Sequence, residues 1–308
     1  MSDSAPFSIA VVGGCQARGI RLWCNALLPG SIGADWHVNV SPIGAPEEIE
    51  KHLGRFDLII TQIADGSDTP TMELASLRDR YPSVVSLPLF VFPGFHPDIT
   101  SCGVREPTSH FIRGPIEQLQ STLVIAAYQL GVERRRVPRL FNSLVYEEMG
   151  YLDAFESSRA AVTAIYAEHG YDIASSFDTW LEDGVFMYTN NHPSMRVLGT
   201  LARQALLKAG LSPQELADVA APHDDLANSV RWPTHKFISA RIGVPTEPYY
   251  GRIASAATGD GDRWIDLTAF VNASYDVMKN FAPASFINTE KIAHALARLR
   301  KILGAPGV

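Results

Sequence analysis

The sequence predicts a mixed α/β fold with a parallel sheet near the N-terminus and a large, mostly helical C-terminal part. Residues 9–12 and 58–63 are short apolar runs, rich in β-branched side chains, as in buried strands. Apolar residues at helical spacing separate these runs, and this alternation is typical of a parallel sheet with helices on its faces. Beyond residue 130 the patterns are mainly helical.

The N-terminal α/β part is expected to cover residues 1–130. Its predicted strands occupy residues 9–12, 37–40, 58–63 and 84–87, with 89–92 close behind. Its predicted helices occupy residues 16–28, 46–53 and 71–80. Because ligands of open α/β sheets bind outside the carboxyl ends of the strands, residues at those ends are the first candidates for a site.

The mostly helical part is expected to cover residues 131–308 and to pack on the first part as one continuous structural unit. Helices are predicted at residues 144–167 and 194–209, and Gly210 supplies a stop for the second. Ser212 and Glu215 form a capping box. A last helix should begin near Asn288, with an apolar face that docks on the core.

The composition excludes several classes of protein. The net charge is −7 and no dense basic run occurs, so we expect no nucleic-acid partner. The three cysteines are odd in number and irregularly spaced, which favours a reducing compartment and no structural metal site. No signal peptide and no apolar stretch of about 18 residues is present, so a cytoplasmic protein that does not span a membrane is expected.

Cys15 is the most informative residue. It follows the first predicted strand and two glycines, and it precedes a predicted helix. The thiol should therefore face the edge of the sheet, near a helix N-terminus whose dipole favours the thiolate. The sequence leaves two interpretations open: a reactive nucleophile, or a small buried core cysteine.

A cysteine nucleophile needs a base, and His96 and His192 rank equally as candidates. His96 follows a predicted strand, where Asp98 could orient its ring or cap a turn. His192 follows Asn191 and precedes Pro193, which predicts His192 at the N-cap of the next helix.

An oxyanion would be held by the backbone amides after Gly14 and around Gln16, where the turn enters a helix. Gln62, at the end of another strand, could add its side-chain amide. A buried glutamine that hydrogen-bonds loop carbonyls is the alternative interpretation. Neither of the two common phosphate-binding glycine motifs occurs.

Several short motifs occur in order along the chain: Gly13-Gly14-Cys15-Gln16, Phe95-His96-Pro97-Asp98, Asn191-His192-Pro193 and Trp232-Pro233. In this order they resemble the WcbI family of capsular polysaccharide biosynthesis enzymes over nearly the whole chain. The N-terminal strand, turn and helix also resemble those of SGNH hydrolases, with Cys15 where such enzymes place their serine. The D-x-x-H motif of that class is missing, because Trp232 stands three residues before His235.

The resemblance implies an O-acetyltransferase that moves an acetyl group from acetyl-coenzyme A to a capsule sugar such as a 6-deoxy-heptose unit, linked to a nucleotide or a lipid. It also implies a coenzyme A site beside the Cys15–Gln16 turn. Cys15 would act as nucleophile or shape the site, and a histidine would be the base. The side chains expected near the coenzyme A phosphates are Arg18, Arg113, His235 and Lys236.

Two other functions remain open from the sequence. A cysteine-dependent carbohydrate deacetylase or esterase would use the same nucleophile and base but would admit water. A non-catalytic subunit that binds coenzyme A or glycan would leave Cys15 inert. No pattern indicates the oligomeric state.

Overall fold

The structure, a computed structural model, describes residues 6–37, 46–63, 73–105, 109–252 and 263–304. The chain divides into two compact units, each built from separate segments. The first unit comprises Met1–Val91, Ala160–Met187 and Asn191–Ala227. The second unit comprises Phe92–Arg159, Tyr188–Asn190 and Asn228–Val308. In the described ranges no helix is both long enough and apolar enough to cross a bilayer.

The described residues form twelve strands: β1 (Ser8–Gly13), β2 (Ile32–His37), β3 (Leu58–Thr61), β4 (Val84–Ser86), β5 (Ile99–Thr100), β6 (Gly103–Val104), β7 (His110–Phe111), β8 (Gln120–Ser121), β9 (Val230–Arg231), β10 (Tyr250–Arg252), β11 (Arg263–Ile265) and β12 (Phe286–Ile287). They also form eleven α-helices: α1 (Ala17–Leu27), α2 (Pro46–Leu53), α3 (Leu74–Arg80), α4 (Thr122–Gln129), α5 (Ser143–Glu148), α6 (Ala154–Glu168), α7 (Ser176–Leu181), α8 (Met195–Lys208), α9 (Lys236–Ile242), α10 (Leu267–Met278) and α11 (Glu290–Leu303).

The first unit is built on a four-stranded parallel sheet in the order β2-β1-β3-β4. Every residue of β1 is buried, and so is every residue of β3. Strands covered on both faces read as continuous apolar runs, which is how the sequence revealed them. The predicted α/β class, with its N-terminal parallel sheet and mostly helical C-terminal part, is confirmed.

The second predicted strand, at residues 37–40, overlaps β2 at His37. β2 begins at Ile32 and ends at His37, whereas residues 38–40 lie outside the described residues. Among the described strands β2 pairs with β1 alone, at the edge of the sheet, and Ile32 is 54% exposed. A half-exposed strand that contains Gly33 and Asp35 lacks the apolar run on which the prediction depended.

Residues 89–92 form no strand, although their side chains alternate between exposed and buried. The backbone N–H of Phe90 donates to the side chain of Gln16 at 3.1 Å instead of to a neighbouring strand. The predicted strand is therefore wrong because a side chain supplies the hydrogen bond that a sheet would provide.

The predicted helix over residues 144–167 is interrupted. Gly150 has φ of 72°, in the left-handed region, and ends α5. A short 3-10 helix at Tyr151–Asp153 then leads into α6. Apolar spacing continues across the break, so the periodicity alone did not reveal the turn.

The second unit has its own core, packed around α4, α10 and α11. α4 is mainly apolar, and its first six residues are buried. α11 begins after Thr289, whose side chain accepts a hydrogen bond from the Ile292 amide at 3.4 Å. The strands of this unit form three small antiparallel sheets, in the orders β12-β6-β7, β11-β10-β9 and β5-β8.

Candidate active site

The Cys15 turn connects β1 to α1 in the first unit. Gly13 ends the strand where Gln62 packs against its α-carbon, and an added Cβ would lie 2.4 Å from Gln62 Oε1. Only glycine therefore fits at this position. The Gly14 carbonyl accepts the Ala17 amide at 3.1 Å, which closes the turn and starts the helix.

The Cys15 side chain is half-buried, and its sulfur donates to the Asn191 carbonyl at 3.8 Å. Burial raises the pKa of the thiol to about 11, although hydrogen bonds from the backbone amides of Cys15 and Gln16 lower it in part. The expected thiolate is therefore not the resting form, because desolvation outweighs the amides at the helix N-terminus. Two amide donors nevertheless face the sulfur, as an anion there requires.

The Gln16 side chain joins three segments of the first unit and is fully buried. Its Nε2 donates to the carbonyls of Phe90 at 2.8 Å and Asn191 at 2.9 Å. Its Oε1 accepts the Phe90 amide, and also Gln62 Nε2 at 3.3 Å. The side chain thus supports the site, and only the backbone amide of Gln16 is available to face a reacting group.

Gln62 is 8% exposed and uses its amide nitrogen on Gln16. Its Oε1 has no hydrogen-bond partner among the described residues. This arrangement fits a positioning role more closely than the expected donation to an oxyanion.

His192 lies in the first unit, directly after the residue whose carbonyl contacts Cys15. Its predicted position at a helix N-cap is wrong, because Ser194 occupies the N-cap of α8. Pro193 forms an isolated β-bridge with Met187, and the Ser194 amide donates to the Phe186 carbonyl. The chain is therefore still extended at residues 193–194. The half-buried imidazole therefore belongs to the loop beside the thiol.

His96 lies in the second unit and is 1% exposed. Its Nε2 is 3.4 Å from the Thr234 hydroxyl oxygen. Burial, with a smaller contribution from the charge of His235, lowers the pKa of His96 to about 3. The imidazole is therefore neutral at physiological pH and would be a weak proton acceptor.

Asp98 caps a helix instead of orienting His96. Its Oδ1 accepts the Leu123 amide at 2.9 Å, in the first turn of α4, and the Tyr151 hydroxyl at 3.0 Å. Among the hydrogen bonds of the described residues none joins Asp98 to His96. Burial raises the pKa of the carboxyl to about 6.

The predicted cations have separate surroundings. Arg18 is exposed in the first unit and pairs with Asp225 at 2.6 Å. In the second unit, Arg113 is exposed and Lys236 begins α9 with its ammonium 4.8 Å from the centre of the Phe237 ring. His235 packs among aromatic rings of the second unit, and burial lowers its pKa to about 4, so it is a poor phosphate contact.

Sequence reasoning missed two contacts. The backbone of Phe90 anchors Gln16, and Thr234 faces His96. Both contacts use groups that carry no pattern of their own in the sequence. In the part of the chain that the structure describes, no three histidine, cysteine or acidic side chains are grouped as metal ligands would be.

The fold and the cysteine turn define a mixed α/β protein with a thiol at the end of its first parallel strand. A family model, described as polysaccharide biosynthesis enzyme WcbI, matches residues 8–214. The chain therefore belongs to the WcbI family of polysaccharide biosynthesis enzymes, as its motifs suggested.

A solved structure of WcbI, described as a novel polysaccharide biosynthesis enzyme, has the same fold. The TM-score is 0.68 at 13% sequence identity, over 96% of this chain and 95% of that one. That structure is described as the native protein without a disulfide bond between coenzyme A and a cysteine, which is the fourteenth residue of that chain. No curated protein matched the sequence.

Proposed function

We propose that this protein is an O-acetyltransferase that moves an acetyl group from acetyl-coenzyme A to a sugar hydroxyl of a capsular polysaccharide unit, such as a 6-deoxy-heptose. The observation that carries the proposal is the Cys15 thiol at the end of β1, faced by two backbone amides. The solved WcbI structure supports it, since its description names coenzyme A together with a cysteine near the chain start. Three free thiols fit a cytoplasmic location.

In the first step, Cys15 attacks the carbonyl carbon of the thioester. Its thiol is protonated at rest, so His192 first takes the proton, and the sulfur then forms a bond to the acetyl carbon. The amides of Cys15 and Gln16 stabilise the oxyanion of the tetrahedral intermediate. The bond from that carbon to the coenzyme A sulfur breaks, and the departing thiolate receives the proton from His192.

In the second step, a sugar hydroxyl takes the acetyl group. His192 accepts the hydroxyl proton while the sugar oxygen bonds to the acetyl carbon. The bond to the Cys15 sulfur breaks, and the imidazolium returns its proton to that sulfur. Exchange of one thioester for another is nearly balanced in energy, so formation of the acetyl-enzyme costs little.

His192 is favoured over His96 as the base. His192 is half-buried and adjoins Asn191, whose carbonyl contacts the Cys15 thiol. His96 is enclosed, and its depressed pKa makes it a poor acceptor. Arg18, three residues beyond Cys15 and exposed, is the favoured contact for the coenzyme A phosphates.

Turnover of radiolabelled acetyl-coenzyme A by wild type, Cys15→Ala and His192→Gln tests the proposal. With a capsule-sugar acceptor, wild type should transfer label to the sugar. Cys15→Ala should lose transfer, and His192→Gln should lose about two to four orders of magnitude in rate. Cys102→Ser and His110→Gln are the matched controls, because Cys102 is a buried core thiol and His110 an exposed residue of β7.

Three results would contradict the proposal. Full transfer by Cys15→Ala would exclude a nucleophilic thiol. Release of labelled acetate, with none on any sugar, would favour the esterase. Saturable binding of acetyl-coenzyme A without turnover would favour a binding subunit.

A further inference from the structure

A separate pocket of about 250 Å³ lies wholly within the second unit. Its wall is formed by Pro93 and Pro97, by residues 149–151 and by the N-terminal turns of α6 and α11. The acetyl-transfer scheme uses none of these residues. A cavity of this size is large enough to hold several waters or one small molecule.

The pocket has a buried floor and an exposed mouth. Tyr151 and Ala295 of the floor are 7% and 1% exposed. Gly150, Ser157 and His294 at the mouth are exposed. A ligand that enters would therefore exchange water for a largely apolar surface that also offers hydroxyl groups.

Lys291 supplies the charge of the pocket. It is partly buried, and its Nζ donates to the Ile99 carbonyl at 2.5 Å. An ammonium has three donors, and the described residues accept a hydrogen bond from one of them. Among the described residues no carboxylate oxygen lies within the 4.0 Å of an ion pair to Lys291.

The described residues that line the pocket include Lys291 and His294 but no aspartate or glutamate. The ammonium of Lys291 and the imidazole of His294 lie one turn apart on α11 and both line the pocket. Asp98 does not line the pocket. Burial lowers the pKa of Lys291 and the charge of Asp98 raises it in part, while the Asp98 carboxylate already accepts two hydrogen bonds. The lining thus favours an anionic group on a compact body.

We infer that this pocket binds a small phosphate monoester, such as a sugar phosphate, with the phosphate on Lys291 and the body of the ligand on the floor beside Tyr151. Lysine binds phosphate as a point charge with several donors. The inference does not depend on acetyl transfer, because neither Cys15 nor His192 takes part in it.

Isothermal titration calorimetry of the full chain with glucose 1-phosphate tests the inference. Wild type should bind at one saturable site, inorganic phosphate should compete, and glucose alone should bind at least tenfold more weakly. Lys291→Met keeps the aliphatic stem and removes the charge, so it should weaken binding about tenfold or more. Lys301→Met, an exposed change on the same helix, should bind as wild type does.

Ser157→Trp provides a second test. Ser157 is exposed at the mouth of the pocket, so the substitution should leave the core intact while the tryptophan ring blocks entry of glucose 1-phosphate. The absence of saturable binding to wild type, or equal binding by Lys291→Met and wild type, would overturn the inference. Loss of binding in Cys15→Ala would also overturn it, by assigning the ligand to the Cys15 turn. Retained binding in Cys15→Ala alongside lost transfer separates the two proposals.

Discussion

Cys15 is subject to two opposing effects. Two backbone amides lower the pKa of its thiol, while burial raises that pKa by more, to about 11. A protonated thiol is a weaker nucleophile than a thiolate. Activation must then come from a base that acts during the reaction, which is the role we give to His192.

We predict that Cys15 reacts slowly with iodoacetamide at neutral pH. The rate of Cys15 labelling, followed by mass spectrometry of its peptide, should still be rising at pH 10. Cys24 and Cys102 serve as internal references, because both are buried and burial raises their pKa to about 12. A labelling rate for Cys15 that levels off below pH 8 would show that the amides affect the pKa of the thiol more than burial does.

At this scale the sequence predicted Cys15, Gln16 and Asn191 as neighbours of one site, and hydrogen bonds join them. The signal was a strand followed by glycines and a helix, which is local in the chain. The burial of His96 and the helix-capping role of Asp98 could not be predicted, because they depend on residues far away in sequence, such as Thr234 and Tyr151.

The packing of α1 on α8 positions the Cys15 turn within the first unit. The helices approach closely because two glycines lie between them. A Cβ on Gly19 would lie 2.4 Å from Leu198, and one on Gly199 would lie 2.7 Å from the Trp23 ring. The Trp23 indole also donates to the Met195 carbonyl at 2.7 Å, at the start of α8.

We predict that Gly199→Ala destabilises the protein by about 1–3 kcal/mol, because the added methyl group overpacks against a ring that cannot move freely. The free energy of unfolding in urea measures the change. Gly54→Ala is the matched control, since its Cβ would lie 3.7 Å from the nearest atom, an ordinary contact. An equal effect of the two substitutions would argue against close packing of α1 and α8.

Elements with a strong local signal were predicted well. The predicted bounds of α2 agree with the structure, and those of α1 and α8 differ from it by one residue at each end. The capping box at Ser212 is present, although the helix that it begins is a single 3-10 turn. The predicted strand at 89–92 failed because the backbone of Phe90, in its middle, bonds a glutamine side chain, which no periodicity encodes.

The stability of the whole protein should depend on pH, because the second unit buries titratable groups. Burial lowers the pKa of His96 from 6.5 to about 3 and that of His235 from 6.5 to about 4. Burial raises the pKa of Asp98 from 3.8 to about 6. Below pH 6.5 the unfolded chain protonates both histidines while the folded chain does not, so stability falls as the pH falls.

Asp98 acts in the opposite direction. Its contribution to the free energy of unfolding is complete below pH 3.8 and is lost as the pH rises through 6. The two histidines together outweigh this single carboxyl between pH 5 and pH 7. We therefore predict a lower melting temperature at pH 5 than at pH 7, measured by circular dichroism. His96→Gln should reduce the difference, and a melting temperature that is equal or higher at pH 5 would contradict the account.

The class of fold was predictable from the whole sequence because alternating strands and helices leave periodic traces. The sequence did not reveal that each compact unit is built from separate segments. Residues 160–187 and 191–227 belong to the first unit through contacts between residues far apart in sequence. The pocket around Lys291 gave no motif for the same reason: its walls come from three separate regions of the chain.

The central claim is that the Cys15 sulfur carries the acetyl group between coenzyme A and the sugar. Peptide mapping by mass spectrometry, after brief incubation with acetyl-coenzyme A and no acceptor, tests it most directly. We predict one acetyl group on the Cys15 peptide, which disappears when acceptor sugar is added. An unmodified Cys15 peptide in enzyme that still acetylates sugar would contradict the claim.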